Sequence, residues 1–160
     1  MTSVADDVRR IAIVNRGEAA MRLIHAVREL NHEHGTAMRT IALVTEPDRR
    51  ARFAREADEA YDLGPASCDG RRTAYVDLAL LERALGAMRA DAAWPGWGFV
   101  AEEPAFAELC ARLRILFVGP GPAAMRLLGD KIAAKRLAER AGVPVVPWNG
   151  PVHTPLEAID

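Results

Sequence analysis

The chain reads as an α/β protein with a doubly wound parallel sheet and helices on both faces. Three observations predict this. Short apolar runs stop at polar or glycine-rich turns, as at Ile11–Val14, Thr40–Thr45, Ala92–Trp94 and Ile115–Val118. Amphipathic stretches with an apolar period of about 3.6 residues follow them. The two patterns alternate along the chain, which is how parallel strands are joined by crossover helices.

Each element has its own signal. Residues 1–9 form a loose polar lead. The run Ile11-Ala12-Ile13-Val14 is a buried strand that passes through Asn15-Arg16-Gly17-Glu18 into a helix with Ala20, Leu23, Ile24, Val27 and Leu30 on one face. That helix runs to about Leu30; the segment Asn31–Gly35 closes it, with Gly35 as the C-terminal stop. Thr40–Thr45 is the second strand and closes on Glu46-Pro47-Asp48. A short helix spans about Ala51–Ala57, and Ala60–Leu63 is a weaker strand ahead of Gly64-Pro65. Tyr75–Met88 is an amphipathic helix carrying Val76, Leu80, Leu81, Leu85 and Met88. Ala92-Ala93-Trp94 is a short strand ending at Pro95-Gly96. Pro104–Leu113 is the next helix, with proline in its first turn. Ile115–Val118 is a further strand, Pro122–Leu128 a helix, and Asp130–Arg140 a last helix ending at Gly142. Val143-Pro144-Val145-Val146-Pro147 is stiff and extended, Asn149-Gly150-Pro151 is a turn, and Pro155–Ile159 begins another helical pattern. Residues 10–148 are therefore expected to form the domain, and 149–160 a linker toward a further one.

At 160 residues the chain suits one domain with a real core. It is 50% hydrophobic and 27% charged, with a formal net charge of -1, so no basic field points to nucleic acid. The clusters Arg49, Arg50, Arg52, Arg55 and Arg71, Arg72 read as solvated faces. Cys68 and Cys110 lie far apart, with no Cys or His at metal spacing, and suit reduced thiols in a cytoplasmic protein. No apolar run approaches membrane-spanning length, and no signal peptide precedes Ile11.

Four strand ends carry turns that can line one cleft: Asn15-Arg16-Gly17-Glu18, Glu46-Pro47-Asp48-Arg49, Pro95-Gly96-Trp97-Gly98 and Gly119-Pro120-Gly121-Pro122. In a parallel sheet they emerge at one edge, where ligands bind; the same residue types also serve βα turns for backbone reasons alone. Gly96-Trp97-Gly98-Phe99-Val100-Ala101 fits the dinucleotide pattern G-x-G-x-x-A, but it follows a late strand rather than the first, and the expected ribose-binding acid is missing. Asp130 suits an N-cap. Lys131 in the following first turn is locally unfavourable and suits an anion docking at the same helix start, an ordinary surface lysine being the other reading, and Lys135 one turn on reads as solvated. Glu18 and Glu102 are the carboxylates nearest the cleft, with capping or ion pairing as their structural role. His32 and His34 do not share a helix face, His25 lies mid-helix and His153 in the tail, so no metal site or catalytic triad is assembled.

Taken together, these strings resemble the amino-terminal domain of biotin carboxylases. They are Asn15-Arg16-Gly17-Glu18 with Arg22, Asp48-Arg49, Ala57-Asp58-Glu59-Ala60, Leu63-Gly64-Pro65-Ala66, Pro95-Gly96-Trp97-Gly98-Phe99 with Glu102, Phe117-Val118-Gly119-Pro120, Gly129-Asp130-Lys131 and Ala141–Pro147. They occur in the family's order, and the resemblance covers about residues 10–148.

The resemblance implies a Rossmann-like pre-ATP-grasp domain, the first of three in an ATP-grasp ligase. In that family ATP and bicarbonate give carboxyphosphate, and CO2 passes to biotin on a carrier domain. A carboxyltransferase domain then moves it to an acyl-CoA or to pyruvate. The implied cofactors are ATP, biotin and Mg2+ or Mn2+, with metal ligands outside these residues. By the resemblance Lys131 contacts ATP, which fits a fixed cation offsetting phosphate charge. Gly96, Trp97 and Gly98 face the biotin and bicarbonate side, and Glu102, Gly17 and Glu18 join the cleft wall. Trp94-Pro95-Gly96-Trp97-Gly98-Phe99 and the long segment Asn31–Arg39 look more like large single-chain acyl-CoA carboxylases than compact bacterial subunits. A homo-oligomer of the full enzyme is implied, while His25 departs from an arginine common on the family's dimer face. No nucleic-acid or membrane partner is expected. The same domain in pyruvate carboxylase or another ATP-grasp ligase, and a stand-alone nucleotide- or partner-binding module, are the competing readings.

Overall fold

Strand β1 (Arg10–Ile13) lies at the centre because its short apolar side chains can be buried on both faces at once. The computed structural model describes residues 8–67, 73–148 and 150. Parallel pairing joins β1 to β2 (Arg39–Val44) and β2 to β3 (Glu59–Asp62) on one side. On the other side β1 pairs with β4 (Ala92–Trp94) and β4 with β5 (Leu116–Phe117). The strand order is β3-β2-β1-β4-β5. The chain thus winds outward from β1 in one direction and then returns to wind the other way, which makes the gap between β1 and β4 the topological switch point.

Alternation along β1 divides the core. Ala12 and Val14 join Ile41, Leu43 and Ala93 in a cluster with Leu81 and Leu85 of α3 (Leu78–Ala87) and with Phe106, Leu109 and Cys110 of α4 (Pro104–Arg112). Ile13 turns to the opposite face with Ala42 and Val44, against Ala20 and Ile24 of α1 (Gly17–His34) and Phe53 of α2 (Arg52–Glu56). Ile11 packs beside them with Val27 and Ala92. Helices on both faces follow from this period-two division.

Three boundaries differ from the sequence expectation. Helix α1 continues past Leu30 to His34 and stops where Gly35 takes a left-handed conformation, φ 64°. Asn31 does not end it: its Nδ2 donates to the Met38 carbonyl at 2.8 Å, and its Oδ1 accepts from Met38 N–H at 3.0 Å and from the Thr36 hydroxyl at 2.7 Å. The expected helix from Tyr75 splits into a 3-10 turn, Ala74–Val76, and α3. Asp77 separates them by accepting Leu80 N–H at 2.9 Å as an N-cap, which frees Tyr75 for the core. Asp77→Ala is expected to cost about 1 kcal/mol in urea unfolding, the usual value of such a cap. The expected strand Ile115–Val118 is paired only over Leu116–Phe117, as an edge strand beside β4.

The chain divides into two compact units, Met1–Pro122 and Ala123–Asp160. Helix α5 (Pro122–Gly129) is followed by α6 (Lys131–Arg140). Asp130 caps α6: its Oδ1 accepts from Ile132 N–H and Ala133 N–H, each at 2.8 Å. Gly142, φ 70°, ends it, with Val143 N–H donating to the Ala138 carbonyl at 2.9 Å. Lys135 is not simply solvated. Its ammonium lies 5.0 Å from the Trp148 ring centroid, while Trp148 Nε1 donates to Glu139 at 2.7 Å. Cys68, Arg71, Arg72, His153, most of the lead, Asn149 and the helical pattern at Pro155–Ile159 lie outside the described residues.

Candidate functional site at the strand ends

The β1–β4 ladder sets the geometry of the site. It pairs Ile11 with Ala92, Ala12 with Ala93 and Ile13 with Trp94, and ends as Val14 N–H donates to the Trp94 carbonyl at 2.9 Å. Beyond that point the two chains part, one into α1 and the other into the turn Pro95–Phe99. A side chain takes over where the backbone pairing stops. Buried Asn15 donates through Nδ2 to the carbonyls of Pro95 at 2.7 Å and Trp97 at 2.8 Å. Its Oδ1 accepts Arg16 N–H at 2.8 Å.

Those two carbonyls flank Gly96, which sits between the Asn15 amide and the Trp94 ring. A Cβ on Gly96 would come within 2.7 Å of that ring and 3.2 Å of Asn15 Nδ2, and its φ of 64° is left-handed. Glycine is required here on both counts. Trp97 is 53% exposed and stands edge-on to Trp94, with centroids 6.3 Å apart. The far end of the turn is held by Phe99, whose ring lies 5.0 Å from that of Tyr75. The Tyr75 hydroxyl donates to the Leu43 carbonyl at 2.7 Å.

Arg16 ties the same turn to the end of β2. Its Nε and Nη2 donate to the two oxygens of buried Asp48 at 2.9 and 2.6 Å, and the Thr45 hydroxyl donates to Asp48 at 3.0 Å. The hydrogen bond to Asp48 raises the Arg16 pKa, against a smaller effect of partial burial, so the guanidinium is a fixed cation. The adjacent residues Asn15 and Arg16 thus link three strand ends, those of β4, β1 and β2.

The expected site residues fall into four groups. Gly96, Trp97 and Gly98 share the turn beyond β4, with Gly98 also left-handed at φ 71°. Gly17, φ 58°, opens α1, and Glu18 is engaged there by Arg22 at 2.6 Å as an exposed i,i+4 pair. Glu102 is exposed ahead of α4, where Glu103 is the residue that caps by accepting Ala105 N–H at 3.2 Å. Lys131, in the second unit, is exposed on the first turn of α6 and has no ion-pair partner among the described residues. The sequence places Asn15, Arg16 and Asp48 in turns that can line the cleft but gives none of them a role of its own. A polar residue in a turn after an apolar run is equally a backbone feature. Among the described residues no group of three or more His, Cys, Asp or Glu side chains is placed to hold a metal ion. No described helix is long and apolar enough to cross a membrane.

Comparison with known proteins assigns these features to a family. Residues 7–125 match the model of the biotin carboxylase N-terminal domain. Biotin carboxylase of Nostoc sp. is 40% identical over 153 residues, covering 94% of this chain and 32% of that protein. Pyruvate carboxylase of Bacillus subtilis is 35% identical over 156 residues, covering 96% of this chain and 13% of that protein. Among solved structures, a biotin carboxylase from Campylobacter jejuni, in complex with beta-gamma-ATP, superposes with a TM-score of 0.81 at 35% identity, over 92% of this chain and 31% of that one. The chain therefore spans about a third or less of the length of these relatives. The doubly wound sheet, its clamped Gly-Trp-Gly turn and the match over residues 7–125 together place this chain in the biotin carboxylase N-terminal domain family.

Proposed function

We propose that this chain supplies the amino-terminal part of the biotin carboxylase component of an acyl-CoA carboxylase. The whole enzyme would use ATP and bicarbonate to carboxylate biotin on a carrier domain, and a carboxyltransferase would pass the carboxyl group to an acyl-CoA. The observation that carries this reading is the turn at the switch point. Gly96, Trp97 and Gly98 are held by Asn15 at the sheet edge where α/β proteins bind ligands, in a chain of this family. In this reading they line the biotin and bicarbonate side, with Gly17, Glu18 and Glu102 as further wall residues.

Lys131 is the proposed ATP contact. Its fit rests on an exposed ammonium on the first turn of α6, without an ion-pair partner among the described residues. When bound, ATP supplies the phosphoryl group that activates bicarbonate. Lys131 would hold and orient its phosphates as a fixed charge. The Mg2+ or Mn2+ that accompanies ATP would take its ligands outside these residues, as the resemblance implies.

Steady-state kinetics of the complete carboxylase carrying this domain test the assignment. Lys131→Ala is expected to raise the KM for ATP about tenfold, the scale of one lost charge-assisted hydrogen bond. Unchanged ATP affinity and turnover would remove Lys131 from the site. The isolated 160 residues are expected to show no bicarbonate-dependent ATP cleavage, and such cleavage would overturn the division of labour. Supplying acyl-CoA or pyruvate to the complete enzyme decides the acceptor. The Trp-Pro-Gly-Trp-Gly-Phe run favours acyl-CoA, while the similarity to pyruvate carboxylase keeps the second reading open to that assay.

A further inference from the structure

We propose that Asn15 is a positioning residue whose amide sets the placement of Trp97, and through it the affinity of the site for the group that accepts the carboxyl. The inference rests on the assignment of the Gly-Trp-Gly turn to the biotin side. Asn15 touches no reacting atom; it acts through the turn.

The geometry selects an asparagine. At the switch point the backbone ladder has ended at Val14 and Trp94, so the turn needs another anchor. One Nδ2 atom supplies both, donating to the carbonyls on either side of Gly96 at 2.7 and 2.8 Å. The Oδ1 is taken by Arg16 N–H, so the amide's two ends are engaged, and Asn15 is only 4% exposed. An ionised aspartate of the same shape offers no donor to either carbonyl, and serine is too short to span both. The second half of the turn has its own anchor in the Phe99–Tyr75 contact. Loss of the Asn15 amide therefore frees the first half, which carries the half-exposed Trp97 indole, and leaves the second half in place. Lys131 is on a different unit and, among the described residues, shares no partner with Asn15.

Asn15→Asp in the complete carboxylase, assayed with free biotin as acceptor, tests the proposal. The KM for biotin is expected to rise about tenfold and the KM for ATP to stay within about twofold, as befits one or two hydrogen bonds lost at this turn. A merely structural role would lower the apparent kcat with the folded fraction and leave both KM values alone. Asn15→Ser, which buries no charge, gives the same readout if Asn15→Asp does not fold. Acrylamide quenching of Trp97 is expected to rise in either variant, with Trp97→Phe identifying its share of the signal. A biotin KM within about twofold of wild type in an otherwise active Asn15→Ser enzyme overturns the proposal alone. A wild-type enzyme that cleaves no ATP with bicarbonate overturns the functional reading and this proposal together.

Discussion

Replacing Gly96 by alanine is expected to destabilise the protein by about 3 kcal/mol, against about 1 kcal/mol for Gly98→Ala, in urea unfolding. Both glycines lie in the left-handed region, with φ of 64° and 71°, so each substitution carries the same backbone penalty. The surroundings differ. An added Cβ at Gly98 meets nothing within 4 Å, whereas at Gly96 it meets the Trp94 ring at 2.7 and 2.9 Å and Asn15 Nδ2 at 3.2 Å. Neither neighbour yields readily. Trp94 is packed into two core clusters, and Asn15 is held by three hydrogen bonds. The difference between the two variants therefore isolates the contact from the conformational strain. Equal costs would mean that the turn relaxes freely, and the clamp described for Asn15 would lose its physical basis.

The sheet was legible because its strands announce themselves. Ile11–Val14 and Thr40–Thr45 are apolar runs bounded by turn residues, and the division of β1 between two core faces follows from strand geometry alone. The amphipathic stripes of α1 and α4 were equally plain. Sequence and structure part where one residue type can serve two purposes. Asn31 looked like a helix end, yet its amide closes the loop to β2 from inside the helix. Tyr75 opens an amphipathic pattern in the sequence, but Asp77 two residues later caps α3 and interrupts it. At the candidate site, glycines and exposed polar or aromatic residues are legible from their types alone. The residues that tie the strand ends together, Asn15, Arg16 and Asp48, are linked across 80, 82 and 32 positions of sequence, and no local pattern reports such contacts. Glu18 shows the converse case: its local partner, Arg22, was in view four residues away.

Alkaline conditions are expected to unfold this protein steeply, through two buried acids. Cys110 is fully buried on α4, and burial pushes its thiol up to about 12 from an ordinary 9.0. Tyr75 is 1% exposed; burial raises its phenol well above the ordinary 10.0, and the nearby Asp48 carboxylate raises it further, against the pull of Arg16. In both cases the unfolded chain ionises first. The unfolded state then binds fewer protons than the native state, so stability falls as pH rises. The thiol's contribution is fully present below pH 9.0 and declines until about 12, and the phenol's decline begins at 10.0. Each costs roughly 1.4 kcal/mol per pH unit, which amounts to about 4 kcal/mol by pH 11. That is a large part of the ~5–15 kcal/mol that holds a typical domain together. Urea unfolding at a series of pH values separates the two groups. Cys110→Ala is expected to flatten the decline between pH 9 and 10, where the thiol acts alone, and to leave the phenol's decline above pH 10 in place. Tyr75→Phe is expected to do the reverse, at the further cost of its bond to the Leu43 carbonyl. An unchanged slope between pH 9 and 10 in Cys110→Ala would place the alkaline transition on other groups, because no buried thiol could then be resisting ionisation against the α3–α4 face of the sheet.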